Sequence, residues 1–98
     1  MVSEVVVKYN GTDYKVTIGK LTYGQRNKII HKCTKVHIVD GKMKGEVKFG
    51  QLEREVVLAS IKDITPKVND IAAFLDSLDY DEAQKITAEA TKINPLLT

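Results

Sequence analysis

The softest ligand chemistry in the chain belongs to His31, Cys33 and His37, spaced H-x-C-x3-H. Imidazole nitrogen and thiolate sulfur suit zinc, but a structural site takes four protein ligands, and a catalytic one three plus water. Residues two apart on a helix diverge by about 200° around its axis, so His31 and Cys33 cannot converge while helical. Asp40 would have to be imported as the fourth ligand. The residues are better assigned as a surface histidine, a small buried thiol and a strand histidine facing water, and no metal or other cofactor is expected.

Nucleophilic chemistry has equally little to work with. There is no G-x-S-x-G, and Cys33 falls on an apolar stripe rather than at an exposed, electropositive position that would activate a thiol. Asp76, Asp79, Asp81 and Glu82 cluster, but they bracket a helix start, where carboxylates favour the dipole and cap backbone N–H groups. Gly41-Lys42-Met43-Lys44-Gly45 lacks the spacing and following helix of a phosphate loop. Asn10-Gly11-Thr12 matches a glycosylation acceptor but, with no secretory leader expected, is better read as a hairpin turn. The expectation is a protein that is not an enzyme.

The elements that must position these residues belong to one domain over 1–98. An apolar fraction of 43% and a charged fraction of 29% are those of an ordinary globule. No run of about 18 apolar residues offers a membrane span. Met1–Glu4 lacks a secretory leader's basic and apolar regions, and the lone Cys33 suits a reducing compartment, so a cytoplasmic location is expected. Charge is lopsided: residues 1–50 hold ten Lys/Arg against four Asp/Glu, and residues 51–98 hold five against nine. Such halves suit nucleic-acid affinity, head-to-tail self-association, or plain solubility.

The predicted fold class is α+β, an N-terminal antiparallel β-hairpin packed on a mostly helical second half. Asn10-Gly11 is a type I′ turn signal and centres a hairpin over 1–20. Across it Val7 faces Tyr14 and Val5 faces Val16, gathering Val5, Val7, Tyr9, Tyr14, Val16 and Ile18 on one face, with Val6 the apolar exception on the other. Thr22 and Gln25 form a capping box for a helix over 21–34. Residues 35–48 read as a second hairpin turning at Asp40-Gly41 or as a mobile loop, Gly45 weakening the strand. Three helices are predicted over 49–98. The first, 51–63, carries Leu52, Val56, Val57 and Ile61; the second opens with Thr65 as cap and Pro66 at its first position; the third opens with a D-x-x-E box at Asp79–Glu82 and stops at Asn94-Pro95.

Nucleic acid is the alternative reading of the basic half. Lys28, Lys32, Lys35, Lys42 and Lys44 form its basic rim, and Tyr9 with Tyr14 shares a sheet face on which bases can stack. The tyrosines nevertheless sit among Val5, Val7, Val16 and Ile18, where an aromatic ring serves the core.

The punctuation resembles a known family. Leu21-Thr22-Tyr23-Gly24-Gln25-Arg26 is followed by a Lys/Gly/Asp-rich insert and a helix ending Leu58-Ala59-Ser60-Ile61. A further helix runs to Leu75-Asp76-Ser77-Leu78, and the chain closes with Asp79-Tyr80-Asp81-Glu82 and Ile93-Asn94-Pro95-Leu96. From about Tyr14 onward this order and spacing is similar to the small tail assembly chaperones of tailed bacteriophages, prophages and related archaeal viruses. The N-terminal hairpin is a departure from their mostly helical pattern. The resemblance implies a cytoplasmic, non-enzymatic viral or prophage protein that coats a long helical tape-measure protein until tail-tube subunits polymerise around it. A structural virion component assembling through strand edges is a further alternative.

The expected partner surface combines Leu78, Tyr80, Leu96 and Leu97, apolar residues at helix ends, with Asp76, Asp79 and Asp81 selecting basic flanks of a helical partner. The competing assignment makes Leu78 and Tyr80 a staple of the helix junction and Leu96-Leu97 a covering tail.

Overall fold

The computed structural model describes residues 2–96, and the side chains at positions 35, 37 and 39 lie outside the description. The element order is β1 (Val2–Tyr9), β2 (Thr12–Gly19), α1 (Tyr23–Lys32), β3 (Thr34–Val39), β4 (Lys42–Val47), α2 (Phe49–Ser60), β5 (Ile61–Thr65), α3 (Ile71–Ser77) and α4 (Tyr80–Ile93). This is the predicted α+β class, with the N-terminal hairpin on a helical second half. No helix among the described residues is long and apolar enough to cross a membrane.

Asn10 and Gly11 both take positive φ, as a type I′ turn demands, and β1 pairs with β2 in the predicted register, Val7↔Tyr14 and Val5↔Val16. Val7, Val16 and Ile18 are fully buried, while Val6 faces solvent. The sheet has a third strand that the sequence pattern concealed. β5 lies antiparallel to β2, giving the order β1-β2-β5, with a register shift between Thr17 and Ile18. Residues 61–65 are therefore not the end of a helix over 51–63: α2 stops at Ser60, and Ile61 and Ile64 enter the core from an extended strand.

The capping predictions divide. At α1 both bonds of the box form: the Gln25 N–H donates to Thr22 Oγ1 at 3.1 Å, and the Thr22 N–H donates to Gln25 Oε1 at 2.9 Å. The cap of α3 is Asp70, accepting from the Ala73 N–H at 3.1 Å, rather than Thr65, which belongs to β5. Asp79 occupies the N-cap of α4 as predicted but makes no side-chain cap bond, and Glu82 pairs with Lys85 Nζ at 2.8 Å instead of reaching back. Lys85 on the next turn competes for the carboxylate with a full charge, which a backbone N–H lacks.

Two apolar clusters flank α2. Val57 joins Val7, Val16, Ile18, Ile61, Ile64, Phe74, Leu75, Leu78, Ile86 and Ala90, whereas Leu52 and Val56 turn the other way to meet Ile29 and Cys33. A buried polar knot ties the ends of three elements. Asn94, the C-cap of α4, donates through Nδ2 to Gly19 O (3.1 Å) and Ser60 Oγ (3.0 Å), and its Oδ1 accepts from the Leu21 N–H (2.9 Å). Ser60 Oγ in turn donates to Val56 O at 2.6 Å.

The region 35–48 is a hairpin, not a loop: β3 and β4 form their own two-stranded sheet with Ile38 opposite Met43, turning through Asp40 and Gly41 at positive φ. At about 3.3 Å per residue its strands reach roughly 20 Å. The chain measures 55 × 26 × 21 Å with a radius of gyration of 15.4 Å, against about 13 Å for a compact chain of this length. The hairpin is an arm rather than a layer of the core.

Candidate functional site

Helices α2 and α4 run parallel. Their last turns meet where Asn94 binds Ser60, and their first halves share a groove lined by Gly50 of α2 and by Ala83 and Thr87 of α4. The floor of the groove is Val57, Leu75 and Ala83; Glu53, Arg54 and Asp76 stand along its rim. The floor follows from the core: Val57 and Leu75 belong to the main cluster, and the partly buried Ala83 packs against it. The hollow is about 210 Å³. An apolar cavity of about 150 Å³ already takes a benzene-sized guest, so the groove can seat one large aliphatic or aromatic side chain.

Arg54 closes one side of the rim with a bidentate grip on Asp76, Nη1 to Oδ1 and Nη2 to Oδ2, the latter at 2.9 Å. The hydrogen bond from Arg54 holds the Asp76 carboxyl below the usual carboxylate range, and the Arg54 guanidinium is raised in return. Glu82 is likewise lowered, first by the bond from Lys85, with the Lys8 backbone N–H adding to it. A second hollow, about 630 Å³, opens at the far end of α4 beside Val2, Lys20, Lys92 and Ile93; it holds none of the residues of the predicted partner surface.

The predicted partner surface is only partly gathered. Asp76 stands on the groove rim, and Asp79, Asp81 and Tyr80 are exposed at the α3–α4 junction. Leu78 is 8% exposed and belongs to the main core. Leu96 packs half-buried on the second cluster, its carbonyl accepting from Arg26 Nη2 at 3.2 Å. It follows α4, a helix of 14 residues that spans about 21 Å, so it does not share a patch with Tyr80. Leu97 lies outside the described residues. The apolar floor comes instead from Val57, Leu75 and Ala83.

The residues of the nucleic-acid alternative are dispersed. Tyr9 and Tyr14 pack edge-on with centroids 6.2 Å apart, and each meets Phe74, at 5.6 and 5.0 Å. They line the core face and offer no stacking platform. Lys28 is exposed on α1, and Lys32 pairs with Glu55 at 3.1 Å. Lys42 and Lys44 are exposed on the arm, and the side chain of Lys35 is outside the description.

No family model, curated protein or solved structure matches the chain.

On the arm, Val36, Ile38 and Met43 share one face and are 59%, 78% and 76% exposed; at its base Phe49 is also exposed. Of the soft ligands, His31 is exposed and Cys33 is 1% exposed in the second cluster. Burial pushes the Cys33 thiol up, Glu55 adds to the rise, and Lys32 opposes it. Among the described residues no three His, Cys, Asp or Glu side chains converge as metal ligands.

Proposed function

We propose that this is a non-enzymatic assembly protein of the tail assembly chaperone kind, which holds a long helical tape-measure-like partner in the cytoplasm before tail-tube subunits polymerise. The observation that carries this is the α2–α4 groove, a hollow between two parallel helices lying over the core residues Val57 and Leu75 and the partly buried Ala83. An amphipathic helix docks in such a groove by inserting anchors from one stripe. Asp76 is neutralised by Arg54, and Asp79 and Asp81 at the neighbouring α3–α4 junction favour basic residues flanking the anchor and disfavour acidic ones. The family resemblance of the sequence points to the same class of partner.

The test is a titration of a synthetic amphipathic helix with Lys/Arg flanks against the wild type and Thr87→Arg. Arginine is a better helix former than threonine, so the variant keeps the fold while its side chain obstructs the groove. Binding at least about tenfold weaker, with an unchanged melting temperature, is expected. Equal affinity for the two proteins would remove the groove from the account.

A further inference from the structure

Two unmatched surfaces lie at one end of the molecule. The first is the β3–β4 arm, with Val36, Ile38 and Met43 exposed on one face and Lys42 and Lys44 exposed on the opposite face. Residues 34–48 carry four lysines against Asp40 and Glu46. The second is the α3–α4 junction, where Tyr80 is 66% exposed between Asp79 and Asp81. Neither of these carboxylates meets a cation among the described residues. The arm leads directly into the N-terminus of α2, and α4 runs parallel to α2, so the N-terminus of α4 with its acidic residues sits at the arm's end of the body.

We propose that a second copy of this chain covers the arm. Each arm lies across the α3–α4 junction of the other copy, Ile38 and Met43 against Tyr80. The lysine stems reach round the ribbon edge to place Lys42 and Lys44 near Asp79 and Asp81. Because both surfaces are at one end, a two-fold axis beside that end forms both contacts at once and closes the assembly at two. An isolated two-stranded hairpin is marginal in water, so burying its apolar face stabilises the arm as well as the dimer. Pairing arm edge to arm edge would instead bring lysines together. A nucleic acid would leave the apolar face open and would meet the carboxylates of the same end, which repel phosphate. This inference is independent of the α2–α4 groove and of what docks there.

The experiment is sedimentation velocity across a concentration series at low salt on the full chain, on Lys42→Glu/Lys44→Glu, on Asp79→Lys/Asp81→Lys, and on their equimolar mixture. The wild type is expected to dimerise. Each variant alone brings like charges together and should dimerise at least about tenfold more weakly. The mixture restores opposite charges at both contacts, so it should recover the dimer. Far-UV circular dichroism checks the fold of each variant; if either is unfolded, Ile38→Ser/Met43→Ser replaces it and is expected to be monomeric. A wild type that stays monomeric, a mixture that stays monomeric, or masses that grow beyond the dimer would each overturn the proposal. So would a monomer that binds oligonucleotide through Lys42 and Lys44.

Discussion

Replacing Asn94 with alanine removes three hydrogen bonds at once, to Gly19 O, Ser60 Oγ and the Leu21 N–H. Ser60 keeps its bond to Val56 O, so its hydroxyl is not stranded. The Gly19 carbonyl and the Leu21 N–H are left without their side-chain partner. An unsatisfied buried polar group costs about 1–3 kcal/mol, and Leu21 is only partly buried. The expected loss is about 2–4 kcal/mol, a large share of the 5–15 kcal/mol typical of a whole domain. For a chain of this size that corresponds to a melting temperature lower by at least about 10 °C, read by thermal and urea unfolding. Asn94→Asp sharpens the test. It retains an acceptor for the Leu21 N–H but sets a carboxylate oxygen against the Gly19 carbonyl, which raises the folded-state pKa of the new acid. A raised acid pKa means destabilisation at neutral pH that begins to ease as pH falls through the raised value and is gone below the unfolded value of about 4. A loss below about 1 kcal/mol for the alanine variant, or no pH dependence for the aspartate variant, would refute the knot as a structural tie.

Thr22→Ala should cost about 0.5–2 kcal/mol in urea unfolding because it breaks a formed box, whereas Asp79→Ala, which has no cap bond to lose, should cost clearly less. Cys33 should resist iodoacetamide at pH 8 in the native protein and react fully in guanidinium, since its thiol is buried and its pKa raised; rapid native labelling would place it at the surface. Asp76 and Glu82 both have lowered folded pKa values, so what they contribute is fully present above the ordinary carboxylate range and is lost as pH falls through the lowered values. Unfolding midpoints should be flat from pH 7 to about pH 5 and decline only below about pH 4.

The sequence made the hairpins and the first helix legible because their signals are local. Asn10-Gly11 and Asp40-Gly41 need positive φ, and alternation on either side fixes the register. It concealed β5 because Ile61-Lys62-Asp63-Ile64 places its isoleucines three apart, a spacing that continues the helical stripe of Leu52, Val56 and Val57 and that a strand buries on one face only through the register shift opposite Thr17 and Ile18. The start of α3 was misplaced because Thr65-Pro66 carries a cap-and-first-residue signature, yet Thr65 is held in the sheet opposite Lys15. Tertiary pairing overrode a local preference there. The groove was only partly legible. Asp76 was marked by charge, but Val57, Leu75 and Ala83 come together only through the parallel packing of α2 and α4. Asn94 read as a helix stop, and nothing local tells that its amide reaches Gly19, Leu21 and Ser60.

The most direct test of the central claim follows the amide resonances of the labelled protein while the basic-flanked amphipathic helix is added. Docking in the groove predicts shifts concentrated at Gly50, Arg54, Val57, Leu75, Ala83 and Thr87, with the far end of the molecule around Val2, Lys20 and Ile93 unmoved. Saturating shifts confined to that far end or to the arm, or none at all at millimolar peptide, would contradict it.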